Sequence, residues 1–201
     1  MAVTAADRGR EVRRRLLTAA TELIPELGWN GVSTRVLAER AGVTPGLVHY
    51  HFPSLAALLR EAALGMMREV VAATTPGLAT AATVDSGLEL MLAALDAYTG
   101  TDPMSLLFIE TYLAATRDET LRTELAGLLE QFRDALANWL AEHGQDNSQQ
   151  AAAVLAAALD GVLLHRALNP ELTSRMVSPM LRRLLAPEPP ERRKDRKEQV
   201  R

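Results

Sequence analysis

The side chains best placed for chemistry crowd into one short run, residues 33–52, STRVLAERAGVTPGLVHYHF. Arg35 carries a guanidinium that can pair bidentately with a guanine edge or contact a phosphate. Thr34 and Thr44 stand where helices are expected to begin, so hydroxyl, free N–H groups and helix dipole together favour phosphate oxygens. Pro45, Gly46 and Leu47 are small or apolar, suited to thymine methyls and groove shape more than to hydrogen-bond patterns. His49, Tyr50 and His51 add two imidazoles and a phenol. The histidine pair is no metal site: at about 100° per residue, two positions along a helix point roughly 200° apart. His143 and His165 stand alone in the sequence, and His143 fits a dipole partner at a helix C-terminus. The chain has no cysteine, which excludes disulfides, thiolate metal sites and cysteine nucleophiles. It has neither a glycine-rich phosphate loop nor a nucleophile elbow. Recognition is expected here, with no catalysis, cofactor or metal.

Two short helices must hold these groups. Ser33 can cap the first, and Leu37, Ala38 and Ala41 give it a buried side. Gly42 ends it with a residue that tolerates positive φ. Thr44 can cap the second, with Pro45 where a missing N–H costs nothing. Val43, Val48 and Phe52 turn inward, leaving Pro45, Gly46, Leu47, His49 and Tyr50 facing out. A helix packed across another and presented to solvent is the geometry that enters a DNA major groove. Tyr50 has packing against a first helix as its alternative role, and His51 a structural hydrogen bond.

These residues, with Gly28 after a first helix and the ending His49-Tyr50-His51-Phe52-Pro53-Ser54, resemble the TetR family over roughly residues 10–60. The resemblance implies an all-α homodimeric repressor that binds a palindromic operator and releases it when a small molecule fills the C-terminal domain. Two positions depart from the family pattern. His49 replaces the usual tyrosine, and Leu55 stands where a lysine usually follows the serine that opens helix 4. Fewer phosphate contacts and a shallower salt dependence are expected, with the arginines of 8–15 as compensation; Arg13, Arg14 and Arg15 could equally be solvated charges.

Charge is uneven. Residues 1–60 hold eight arginines against five acidic residues, while residues 61–186 hold eight against sixteen. That suits a protein touching phosphates at one end only. The first fifteen residues lack the apolar stretch of a signal peptide, and no apolar run reaches the roughly 18 residues of a membrane span, so a cytoplasmic protein is expected. Helices are expected over about 8–27, then in the two-helix motif, then from Ser54 until Thr75-Pro76-Gly77 breaks the fourth. Further helices are expected over about 84–98, 103–115, 118–143, 147–168 and 173–186. The domains are expected at 1–53 for the DNA-binding head and 54–186 for the ligand-binding and dimerisation body. A charged, disordered tail is expected at 187–201.

In the body, two segments (88–95 and 104–109) are apolar on nearly every side, as buried or cavity-lining helices are. Met66, Met67, Met91, Met104, Phe108, Tyr112 and Trp139 are candidates to shape a pocket, with a packed core as the alternative. Glu110 could anchor a cationic or hydroxylated ligand, or lie on the surface. The small residues and leucines of 149–159 permit close helix approach. Val154, Leu155, Ala158, Leu159, Val162, Met180, Leu181 and Leu184 are the expected four-helix dimer interface. A DNA-bound module that recruits a protein partner, and an activator instead of a repressor, remain open readings.

Overall fold

The computed structural model describes residues 4–186, so the expected tail at 187–201 lies outside the described residues. Among the described residues there are nine α-helices and no strand. Helix α1 (Ala5–Leu27) begins at Thr4, whose hydroxyl accepts from the Asp7 N–H while the Asp7 carboxylate accepts in return from the Thr4 N–H. It starts three residues earlier than the sequence suggested because this capping box extends its first turn. It stops at Gly28, whose φ of 74° a side chain would resist.

A single 3-10 turn, Trp29–Gly31, leads into α2 (Thr34–Ala41) and α3 (Pro45–His51). Ser33 caps α2 through the Val36 N–H, and Ser54 caps α4 (Leu55–Thr80) through the Ala57 N–H. The four helices close on one core built from Leu16, Leu23, Ile24, Leu37, Val48, Phe52 and Leu58. Leu107, from the sixth helix, is buried in that same core and ties the body to the head.

Helix α4 is longer than expected: it runs through Pro76 to Thr80. Proline withdraws the N–H that would serve the Ala72 carbonyl, a cost of about 3 kcal/mol in a helix interior. The Thr74 and Thr75 hydroxyls donate to the Val70 and Val71 carbonyls at 2.8 and 2.9 Å just ahead of it. Beyond the proline, Leu78 is buried in a distant core, and that packing keeps the helix going.

The body follows as α5 (Val84–Leu95), α6 (Pro103–Ala115), α7 (Glu119–Glu142), α8 (Ser148–Arg166) and α9 (Ser174–Leu184). Thr83, Asp102 and Asp118 cap the first three through side-chain oxygens. Helix α5 ends before Tyr98 because buried Arg166 claims its last carbonyls. The guanidinium donates to the Leu95 and Tyr98 oxygens at 2.9 and 2.7 Å and pairs with Asp96 at 3.0 Å. A middle core (Leu64, Met67, Leu121, Leu125, Leu128) joins α4 to α7, and a distal core around Leu88, Leu136, Leu140 and Leu155 joins α5, α7 and α8. His143 follows α7 as expected of a C-terminal partner: its Nδ1 lies 2.8 Å from the Trp139 carbonyl.

Candidate functional site

The outward face of the head is built by the α2–α3 turn. Gly42 adopts φ 64° and ψ 41°, the left-handed conformation, and its N–H turns back to the Ala38 and Glu39 carbonyls. Arg15, from α1, donates to the Ala41 and Gly42 carbonyls and fixes the turn from behind. Helix α3 then emerges with Val48 and Phe52 buried and Tyr50 80% exposed. Tyr50 therefore does not pack against α1. It meets the edge of His51 with ring centroids 5.1 Å apart. Half-buried His51 makes no side-chain hydrogen bond among the described residues, and lies near Gly9 of α1.

Arg35, Thr44, Pro45, Gly46 and His49 are exposed, and Thr34 is half-buried. Leu47 is half-buried as well, not fully outward, because α3 leans that side toward the head. Thr44 holds the N-cap position of α3 but its hydroxyl makes no capping bond, which leaves it available to a ligand.

The arginines of the arm are already engaged. Arg13 pairs with Glu61 at 2.6 Å and lies 4.8 Å above the Phe52 ring, while Arg14 pairs with Glu11. Arg10 pairs with Asp7, and Arg40 reaches Glu22 and Glu26. Arg60 crosses to Glu124 of α7 at 3.2 Å. Among the described residues, Arg8 and Arg35 are the head arginines left without an ion pair or carbonyl partner. Within the 8–15 arm, Arg8 is thus the arginine with no partner among the described residues to give up on meeting a phosphate.

The body holds a cavity of about 250 Å³, partly open to solvent, between α4, α5, α6, α7 and α8. Met67, Met91 and Phe108 line it as the sequence suggested, beside Val70, Val71, Thr74, Tyr98, Phe132, Arg133 and Asp160. The other candidates sit elsewhere. Met66 and Met104 pack on the head core. Trp139 is buried in the distal core, against His143. Glu110 points away from the cavity and accepts the Trp29 N–H at 2.8 Å. Tyr112 stands beside the cavity and donates to Asp160 Oδ2 at 2.8 Å. Loss of hydration, together with the Asp160 charge, pushes the Tyr112 phenol well above its ordinary pKa. Partial loss of hydration beside the apolar wall likewise raises the carboxyl of Asp160, which is exposed, against the hydrogen bond from Tyr112.

Asp160 was missed because it is exposed, and an exposed acid reads as a solvated charge. Yet it is the one charged side chain in the stretch 151–164, and that isolation marks it.

The expected interface residues divide by face. Val154, Met180 and Leu184 are exposed, Ala158 and Leu159 are half-buried, and Leu155, Val162 and Leu181 are buried in the protomer's own distal core. A helix apolar all round hides from composition which side faces home. The exposed stripe instead continues through Leu164 on α8, Leu168 just beyond its end and Met176 on α9.

The bacterial regulatory proteins, tetR family, model matches residues 16–62, and the tetracyclin repressor-like C-terminal domain model matches 79–187. The chain belongs to the TetR family. An HTH-type transcriptional regulator of Mycobacterium tuberculosis is 30% identical over 132 residues, covering 66% of this chain and 67% of that one. The regulator BetI of Vibrio vulnificus is 28% identical over 168 residues, 79% of this chain and 82% of its own. A transcriptional regulator from Streptomyces coelicolor superposes with a TM-score of 0.75 at 30% identity, over 88% of this chain and 99% of that one. The fold also matches a regulator from Saccharomonospora viridis solved in complex with choline, with a TM-score of 0.74 at 20% identity over 88% and 96% of the two chains. This TetR-family chain is thus a DNA-binding transcriptional regulator with a ligand-binding type of C-terminal domain. Among its described residues no helix is long and apolar enough to cross a membrane.

Proposed function

We infer that the protein is a cytoplasmic homodimeric repressor that holds a palindromic operator and lets go when a small molecule enters the body cavity. One observation carries this reading: α4 serves both ends. Its first turn follows the recognition helix directly, and its middle supplies Met67, Val70, Val71 and Thr74 to the cavity wall. A ligand that prefers one placement of α4 therefore biases the heads, and DNA and ligand weaken each other by the same factor. Arg35, Thr44, Tyr50 and the leading edge Pro45-Gly46-Leu47 form the DNA contact. Thr34, His49 and His51 flank it. The exposed apolar stripe of α8 and α9 is the surface for the second copy, and two-fold pairing presents two heads to a pseudo-palindrome.

The cavity favours this reading over the partner-recruiting module, since such a body has no need of a ligand-sized pocket. The test begins with selection of random duplex DNA by the purified protein. Enrichment of a palindrome, bound by two chains and released by a cavity ligand, is the expected result. A selected site bound with unchanged affinity when the cavity is occupied would sink the release mechanism. Reporter expression from that site, with and without the protein, separates repression from activation.

A further inference from the structure

The cavity wall has one feature that its apolar lining does not explain. Asp160 and Arg133 are the charged residues that line it, and they make no ion pair with each other or with any other described residue. Asp160 Oδ2 is taken by the Tyr112 hydroxyl, which spends its single proton there, while Oδ1 accepts no hydrogen bond among the described residues. Asp160 is itself exposed, at the open side of the cavity, where its carboxylate can meet a cation that the apolar and aromatic wall draws in. Tyr98, Phe108 and Phe132 supply three aromatic rings to the same wall; the first two meet edge to face, with centroids 6.5 Å apart. Aromatic rings attract cations, and more strongly where water is scarce. Arg133 is exposed as well, so the choice of a cation over an anion rests on the three rings and on the carboxylate that Tyr112 orients.

We propose that the cavity takes a small organic cation, an amine or quaternary ammonium on an apolar or aromatic frame, with Asp160 as its counter-ion. Tyr112 is the positioning residue that aims the carboxylate. The size follows from the volume: about 250 Å³ is at the small end of ligand pockets and suits a small guest. The proposal rests on the cavity being the effector site, as inferred above.

The experiment is calorimetric titration of the full chain with four matched probes: benzyltrimethylammonium, benzylamine, benzyl alcohol and benzoate. The two cations should bind at least about tenfold tighter than the alcohol, and benzoate weakest. Asp160→Asn should abolish that preference and Asp160→Glu should restore it, with circular dichroism and melting temperature reporting the fold. Asp160→Ser replaces the asparagine variant if that fails to fold. The proposal is overturned if benzoate or benzyl alcohol binds as tightly as the cations, if no probe binds, or if Asp160→Asn leaves the ranking unchanged. Operator release is scored separately. Cations that bind without releasing DNA would refute the effector reading and leave the ligand class standing. Release by an anion or neutral compound would do the reverse.

Discussion

Glu110 on α6 accepts the backbone N–H of Trp29 at 2.8 Å, fastening the body to the end of α1 across 81 residues of sequence. The carboxylate lies against Gly28, where an added Cβ would stand 3.5 Å from Glu110 Oε2. Phe108, two residues earlier on α6, lines the cavity. This latch joins α4 and the buried Leu107 in holding the head to the body. Glu110→Ala should cost about 1–3 kcal/mol by orphaning the Trp29 donor, and Glu110→Gln much less. Hydrogen exchange at the Trp29 amide checks it: an unchanged rate in the alanine variant would show that the latch does not hold in solution.

The DNA-facing assignments turn on Arg35 and Tyr50, which are exposed and unpaired among the described residues. Arg35→Ala and Tyr50→Ala should weaken operator binding by about 1–3 kcal/mol while leaving the oligomeric state unchanged. Fluorescence anisotropy with the selected duplex measures this. Normal affinity in both variants would remove these residues from the interface.

Leu55 offers a gain instead of a loss. It is half-buried against the head core at the start of α4, and a lysine stem can cover the same apolar surface while its ammonium reaches a phosphate. Leu55→Lys should tighten binding and steepen the logarithmic salt dependence by about one unit. A salt slope that does not change would show that no phosphate comes near this position.

The two faces of α8 and α9 predict opposite outcomes for similar substitutions. Leu164→Glu or Met180→Glu, on the exposed stripe, should yield a folded monomer in analytical ultracentrifugation. Leu155→Glu places a charge in the distal core and should unfold the body. A folded dimer with both stripe positions charged would move the interface elsewhere.

Asp102 carries a pH signature. Burial alone would raise its carboxyl, but hydrogen bonds from Ser105 and Thr99 draw it down to about 2. The folded value lies below the unfolded one, so the stabilisation is fully present above about pH 4 and is lost as pH falls toward 2. It amounts to on the order of 2 kcal/mol at neutral pH. Urea unfolding of Asp102→Asn should show that deficit at pH 7 and a shrinking one in acid. A deficit independent of pH would assign it to shape and not to charge.

The head was legible because its signals are local. Ser33, Gly42, Pro45 and Ser54 each act on the backbone within a few residues, so their types and spacing suffice. What escaped the sequence depends on distant partners. Pro76 reads as a helix breaker until Leu78 is seen buried, and Tyr98 reads as helical until Arg166 is seen taking its carbonyl. Leu155 and Val154 are equally apolar neighbours, and only the packing of α8 on the distal core tells which faces the solvent. In the cavity, Met67 and Phe108 were readable as adaptable apolar residues. Glu110, read as a ligand anchor or a surface carboxylate, meets Trp29 instead, and Asp160, which the sequence did not single out, lines the cavity, because which acid faces it depends on helix rotation.

The unbroken run of α4 has a mechanical corollary. At 1.5 Å per residue its 26 residues reach about 39 Å, so a pivot of about 5° at the buried Leu78 end sweeps the other end through about 3 Å. In a two-fold pair both ends sweep in opposite senses, about 7 Å in all, against a groove repeat of roughly 34 Å. Under the proposed release mechanism, Pro76, lacking its N–H, would put the weakest link of this lever beside its fulcrum, where little torque from a small guest would throw two distant fingers out of phase with the helix they grip.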